Sequence, residues 1–339
     1  MRIVSGQTGG GQILRTALSL SALSGTPVTV EDIRTARPTP GLKRQHCAVV
    51  ETLATICDAT VSDISVGTET LTFEPAAPTG GEFSVDIGTA GSLTLLFDAL
   101  LPLAVAIDEP LTVRATGGTD VQWAPTVAWY DQVKLPLLAH FGLDASLRVD
   151  RTGFYPVGGG EATLTLAPST LAPLSMPVRG DLNAIAITSK ASTHLRKANV
   201  AERQAIEARR LLEADGHEVA AQTVTTVESA SPGSSLLVRA AYDATVVGFD
   251  TLGEKGKVAE KVAVAAVNAF RAFHATGATV DSFLADQLLL WLALAGGEFV
   301  APTLSGHVET NREVISQFGY DIDVREVETG LIRCSAPSS

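Results

Sequence analysis

Cysteine is scarce in this 339-residue chain, and the three present, Cys47, Cys57 and Cys334, are too widely spaced for a disulfide framework or a CxxC metal site. Their pattern fits a reducing cytoplasm. Aromatic residues make up only 5% of the sequence, so the core must be built mostly from Ala, Val, Leu and Ile. No stretch approaches the roughly 18 uninterrupted apolar residues that a membrane span needs. The start, Met1-Arg-Ile-Val-Ser-Gly, lacks the apolar run of a signal peptide. The expectation is a cytoplasmic protein with no membrane segment. The histidines, at 46, 140, 194, 217, 274 and 307, are nowhere spaced as zinc ligands.

Hydrophobic residues reach 45%, a globular composition, and the length suits one large domain with a smaller one inserted. The net charge of −12 is unusual for a protein that handles nucleic acid, because phosphate contacts draw on Lys and Arg. An acidic surface of this kind suits a high-salt cytoplasm. Local charge is a different matter: Arg34, Arg37, Lys43 and Arg44 fall within eleven residues around Pro38-Thr-Pro-Gly41, which reads as a rigid loop. Such a run is either a solvated face or a phosphate-binding one, and Arg15 and Gln45 could join it.

One rhythm recurs three times before residue 180: an apolar strand, a glycine-rich turn, then a helical pattern. It runs from strand 2–4 through Gly6–Gly11 to helix 12–24, from strand 83–87 through Gly88-Thr-Ala-Gly-Ser92 to helix 93–106, and from strand 111–115 through Gly117-Gly-Thr-Asp120 to helix 128–141. Further strands are expected at 28–33, 60–66, 70–73 and 161–166. The texture changes near 180. Strands at 184–189, 222–228, 234–240 and 244–248 alternate with helices at 200–214 and 257–275, and then Leu/Ala-rich helix 282–295 follows. A short strand near Phe299, a helix at 309–318 and strands at 321–327 and 330–334 close the chain. The pattern predicts an α+β fold in α/β layers, with a main domain of 1–180 and 277–339 and an inserted domain of 181–276. The helix at 200–214 is open as a homodimer contact or an RNA surface.

A glycine turn that opens a helix offers backbone N–H groups and the positive dipole end to an anion, although such glycines also simply make tight turns. Neither Gly9–Gly11 nor Gly88–Ser92 is a Walker A loop or a dinucleotide fingerprint. Asp286-Gln287 sits in the apolar run Phe283-Leu-Ala-Asp-Gln-Leu-Leu-Leu-Trp, where an unpartnered carboxylate is costly. It is either the N-cap of that helix or a grip on a ligand's hydroxyls or base edge. His307, between the turn Pro302-Thr-Leu-Ser-Gly and a helical pattern, could present a neutral imidazole nitrogen that attacks phosphorus.

Taken in order, Gly9-Gly-Gly-Gln-Ile-Leu-Arg-Thr-Ala-Leu-Ser-Leu-Ser21, Arg37-Pro-Thr-Pro-Gly-Leu-Lys-Arg-Gln-His46, Gly88–Ser92, Gly117–Asp120 with Ala124-Pro125, Gly153-Phe-Tyr-Pro-Val-Gly-Gly-Gly160, Gly253-Glu-Lys-Gly-Lys257, Leu284-Ala-Asp-Gln-Leu-Leu-Leu290 and His307 closely resemble the RNA 3′-terminal phosphate cyclase family. Each motif is weak alone; the eight in order span nearly the whole chain. The resemblance implies repeated βαβαββ units like the C-terminal domain of bacterial translation initiation factor three, with a small α/β domain inserted late. It implies a ligase-type enzyme in which His307 attacks the α-phosphorus of ATP and carries AMP to an RNA 3′-phosphate. The neighbouring 2′-hydroxyl then closes a 2′,3′-cyclic phosphate. It implies an ATP pocket of Phe283, Leu284, Ala285, Asp286, Gln287, Asp98 and Pro125, an RNA phosphate site of Arg15, Arg37, Arg44 and Gln45, and a divalent cation, Mg or Mn, with unknown ligands. Two positions depart from the family: Thr8 replaces a Glu near the triphosphate and metal, and Asp98 replaces a nucleotide-contacting Gln. The rivals are a non-catalytic cyclase-like RNA-binding factor of ribosome biogenesis, which would lack the nucleophile, and an enolpyruvyl transferase, which needs none.

Overall fold

The computed structural model describes residues 1–7, 10–303, 305–328 and 330–337; the side chains of His307 and Glu328 lie outside the described set. The chain runs β1 (Arg2–Ser5), α1 (Gly11–Ser24), β2 (Val28–Glu31), α2 (Arg44–Ile56), β3 (Thr60–Val61), β4 (Leu71–Glu74), β5 (Gly81–Asp86), α3 (Leu93–Leu100) and β6 (Leu111–Gly117). It continues through α4 (Val127–Trp129), a π-helical turn (Tyr130–Lys134), α5 (Leu135–His140), β7 (Ala145–Arg151), β8 (Gly160–Leu166) and β9 (Leu174–Met176). Then come β10 (Leu182–Ser192), α6 (Val200–Ala214), β11 (Val219–Val227), β12 (Ser234–Tyr242), β13 (Val246–Leu252) and α7 (Ala259–His274). The last elements are α8 (Ser282–Ala295), β14 (Gly297–Ala301), α9 (Gly306–Gln317), β15 (Asp323–Glu328) and β16 (Leu331–Ala336).

These strands form small mixed sheets of four, so the architecture is α+β. The sheet orders are β1-β2-β4-β3, β5-β6-β8-β7, β9-β14-β16-β15 and β11-β10-β12-β13. In each of the first three, one parallel pair (β1 with β2, β5 with β6, β9 with β14) is extended by two antiparallel strands. The fourth sheet lies between β9 and β14 in sequence and carries α6 and α7.

The sheets bury one face because their side chains alternate. On β8, Ala162, Leu164 and Leu166 point inward while Glu161, Thr163 and Thr165 are more open. Helix α1 packs against α2, α3 and α9 and so joins the first three units. Its Ile13, Leu14, Ala17 and Leu18 are buried at helical spacing, and it stops at Gly25, whose φ of 62° suits a residue without Cβ. Helix α8 is apolar nearly all round and is the centre of the core, with Leu284, Leu288, Leu289 and Trp291 essentially unexposed.

Several expectations need correction. The loop Pro38–Gly41 leads into an unexpected helix, Arg44–Ile56, capped at Lys43, and the strands Ala145–Arg151 and Leu174–Met176 were also not expected, although both alternate apolar and polar residues. The expected helix 93–106 ends at Leu100, where Pro102 tightens the next turn into a 3₁₀ segment. The expected strand 60–66 holds only two paired residues. Asp286 is not the N-cap of α8; Asp281 is, its Oδ1 accepting from the backbone N–H groups of Phe283 at 2.9 Å and Leu284 at 3.0 Å.

Candidate active site

A cavity of about 990 Å³ opens where α1, α3, the loop 121–125, the π turn, β13 and α8 meet. Its size suits a nucleotide-sized molecule. Capping by Asp281 determines what α8 offers to it. Phe283 stands in the first helical turn, 80% exposed, while Asp286 and Gln287 follow at i+3 and i+4 on the same face. All three line the cavity. Leu284 and Ala285 turn the other way into the core, so they do not line it.

Asp286 is almost fully buried, and its carboxylate accepts from the Ser305 hydroxyl at 2.9 and 2.8 Å. Its carbonyl accepts from Asn311 Nδ2 at 3.3 Å, and Asn311 Oδ1 accepts in turn from Thr16 on α1 at 3.0 Å. These bonds tie the first turns of α9 to the cavity wall. His307 is the second residue of α9, two residues beyond Ser305; its side chain lies outside the described residues, as does all of Thr8.

Opposite α8, Asp98 and Lys134 form a buried ion pair. Lys134 Nζ lies 2.5 Å from Asp98 Oδ1 and 2.8 Å from Gln287 Oε1, and its side chain is 3% exposed. The π turn carries Lys134 inward where α-helical winding would aim it differently. Burial pulls the ammonium pKa down while Asp98 pushes it up. Arg15 belongs to the same wall, its pKa lowered by burial and raised by Asp98 and Tyr130. Two cations thus share the Asp98 carboxylate, while Asp250, Asp281 and Asp286 also line the cavity, so its wall is mixed in charge.

The rim is aromatic and acidic. Trp123 is 94% exposed on a backbone with φ of 63°, an outlier for a bulky residue. Pro125 follows it, its carbonyl accepting from Thr94 at 2.8 Å. Asp250 on β13 accepts from the Thr126 backbone N–H at 2.7 Å, and burial raises its pKa. Burial also raises Asp281, to about 6.

The other face of α1 meets the basic segment. Helix α1 begins at Gly10 with no side-chain cap and no acid in its first turn. Arg37 reaches the Gly10 turn and Arg44 the Gly88 turn, each within about a van der Waals contact of where a Cβ would stand. Gln45 Oε1 accepts from the Ser92 backbone N–H at 3.0 Å, which holds the Gly88–Ser92 turn against the start of α2. Beneath them, His46 Nδ1 accepts from the Lys43 backbone N–H at 3.0 Å. A Cβ on Gly11 would fall 2.3 Å from His46 Nε2, so only glycine fits there. Burial, reinforced by Arg15, Arg34 and Lys43, pulls His46 down to about 3 and keeps it neutral. Arg34 is structural, donating to the carbonyls of Thr39 at 3.0 Å and Gly41 at 2.8 Å.

The structure therefore brings Asp98, Pro125, Phe283, Asp286 and Gln287 to one cavity and adds Arg15 to it, while Arg37, Arg44 and Gln45 gather on the adjoining face. Sequence reading missed Lys134, Trp123 and His46. Trp123, an aromatic inside a turn motif, could have been flagged; a single lysine before an apolar helix gave no signal. Among the described residues no cluster of three or more His, Cys, Asp or Glu could hold a metal, and no helix is long and apolar enough to cross a membrane.

The family profile described as RNA 3′-terminal phosphate cyclase matches residues 7–324. The RNA 3′-terminal phosphate cyclase of Halobacterium salinarum is 44% identical, covering 99% of this chain and 100% of that one. That of Methylococcus capsulatus is 39% identical over 96% of this chain and 93% of its own length. Among solved structures, the enolpyruvyl transferase NikO from Streptomyces tendae aligns with a TM-score of 0.36 at 13% identity over 49% of its chain, too weak a likeness to bear on activity. With the profile spanning nearly the whole chain and near-full-length relatives at this identity, the chain belongs to the RNA 3′-terminal phosphate cyclase family.

Proposed function

We propose that this protein uses ATP to convert an RNA 3′-terminal phosphate into a 2′,3′-cyclic phosphate, through an AMP carried on His307. The observation that carries the reading is the convergence of α1, α3, α8 and the start of α9 on one nucleotide-sized cavity. The AMP half of ATP lies in the cavity, the base against Phe283 and Pro125 and the ribose at Asp286 and Gln287. The triphosphate runs toward Arg15 and the N-terminus of α1. The RNA end enters over Arg37, Arg44 and Gln45, which sit on the far side of the same helix turn.

In the first step a neutral His307 nitrogen attacks the α-phosphorus and pyrophosphate leaves. AMP then passes to an oxygen of the RNA 3′-phosphate, which restores the imidazole. The adjacent 2′-hydroxyl attacks the activated phosphorus, the proton is lost to solvent, and AMP departs. Intramolecular attack has a high effective concentration, so positioning accounts for much of the rate in this last step. A Mg or Mn ion would arrive on the triphosphate, where it would neutralise phosphate charge. We also propose that 181–276 is an inserted domain, because its sheet is built without strands from the other three, and that those three are copies of one βαβαββ unit of the translation initiation factor three type. A cytoplasmic location fits the free, buried cysteines.

The test is to incubate the protein with RNA ending in 3′-phosphate, ATP and Mg or Mn, and then treat with phosphatase. The expected product resists phosphatase only when ATP is present, and His307→Ala gives none. An unprotected end with the unmodified protein would favour a non-catalytic RNA-binding factor.

A further inference from the structure

We propose that Lys134 is a specificity-determining residue, which fixes the Gln287 side chain as a hydrogen-bond donor toward the bound nucleotide; this rests on reading the cavity as the ATP site. A lysine ammonium can only donate, and it meets Gln287 at Oε1, 2.8 Å away. The amide is therefore not free to flip. Its Nε2, carrying two N–H donors and no acceptor, takes the position that Oε1 leaves. Gln287 lines the cavity, so the group it offers a ligand is a donor.

Asp98 makes this arrangement stable. A lysine this deeply buried would lose its charge or its place without a partner, and the carboxylate at 2.5 Å supplies one. Engaged with Lys134, Asp98 is also less available to accept from a ligand. The three residues come from α3, the π turn and α8, so the π turn is what allows one ammonium to bridge the other two helices. The atom that Gln287 reads must be a hydrogen-bond acceptor of the nucleotide, a ring nitrogen of the base or a ribose oxygen.

The experiment measures equilibrium binding of ATP, 1-, 3- and 7-deaza-ATP and 2′-deoxy-ATP to the whole protein. In the unmodified protein one of these analogues binds about tenfold more weakly than ATP, the weight of one hydrogen bond in a dry site. In Lys134→Met that difference shrinks to within about twofold, because the amide no longer holds one orientation. Lys134→Met leaves Asp98 buried and unpaired and can unfold the protein. The double variant Asp98→Asn with Lys134→Met removes both charges of the pair and keeps a hydrogen-bond acceptor beside Arg15. It is expected to recover the thermal midpoint without recovering the discrimination. If the double variant discriminates among the analogues as the unmodified protein does, Lys134 only fills space and the proposal fails. If Phe283→Ala and Gln287→Ala leave ATP affinity unchanged, the cavity itself is misread. If those two weaken binding while the Lys134 variants do not, the ATP site stands and the role of Lys134 falls.

Discussion

His46 illustrates how a single side chain can couple the site to pH. In the unfolded chain it takes up a proton near 6.5, but in the fold only near 3. Protonation therefore favours unfolding. The stability it allows is fully present above pH 6.5 and falls as the pH drops toward 3, by about 2 kcal/mol at pH 5. His46→Asn keeps an acceptor for the Lys43 N–H and does not titrate. Urea denaturation at pH 7 and pH 5 should show the unmodified protein losing more stability than the variant by about that amount; equal losses would contradict the burial argument. Residue-scale legibility was uneven for a related reason. Phe283, Asp286 and Gln287 stand out because polar groups in an apolar helix demand partners. Lys134 does not, because its meaning comes from Asp98, 36 positions away, and Gln287, 153 positions away.

At the level of elements, local chemistry decided most boundaries. The strand–glycine–helix rhythm located α1 and α3 because a glycine turn and a periodic apolar stripe are both written locally. Helix α2 was hidden because its start carries the basic residues of the phosphate-binding motif, and charge was read before periodicity. The bounds of α8 were legible, 282–295 in sequence and structure alike, but its cap is Asp281 and not Asp286, because only Asp281 precedes free N–H groups. Capping by Asp281 has a measurable consequence. One oxygen serves the cap, the other is buried without a hydrogen-bond partner, and the group rises from 3.8 to about 6. A raised carboxyl contributes stability that is full below pH 3.8 and lost as the pH rises through 6. Asp281→Asn keeps the capping oxygen and never ionises, so calorimetry should find it more stable than the unmodified protein at pH 8, by about 1–3 kcal/mol, and no more stable at pH 4. Asp281→Ala should be less stable at pH 4, by about 1 kcal/mol, since the cap itself is lost. A destabilised Asn variant at pH 8 would mean that the ionised carboxylate is needed.

The whole molecule combines a net charge of −12 with a basic face at Arg37, Lys43 and Arg44. Salt acts on the two in opposite directions. Screening relieves the repulsion of the acidic surface and so stabilises the fold, whereas it weakens contacts to RNA phosphates. The thermal midpoint should rise by a few degrees, for about 1–2 kcal/mol, between 50 mM and 1 M KCl. RNA affinity should fall over the same range. A midpoint that falls with KCl would remove the high-salt reading of the composition.

The central claim is that the first turn of α9 delivers a nucleophile to a nucleotide held by α1, α3 and α8. It is tested most directly by incubating the protein with ATP and Mg or Mn without RNA, digesting it and locating the added AMP by mass spectrometry. The account predicts AMP on the peptide containing His307, absent in His307→Ala and released by mild acid, as a phosphoramidate should be. AMP on another residue, such as Lys134, or undiminished labelling of His307→Ala, would contradict it.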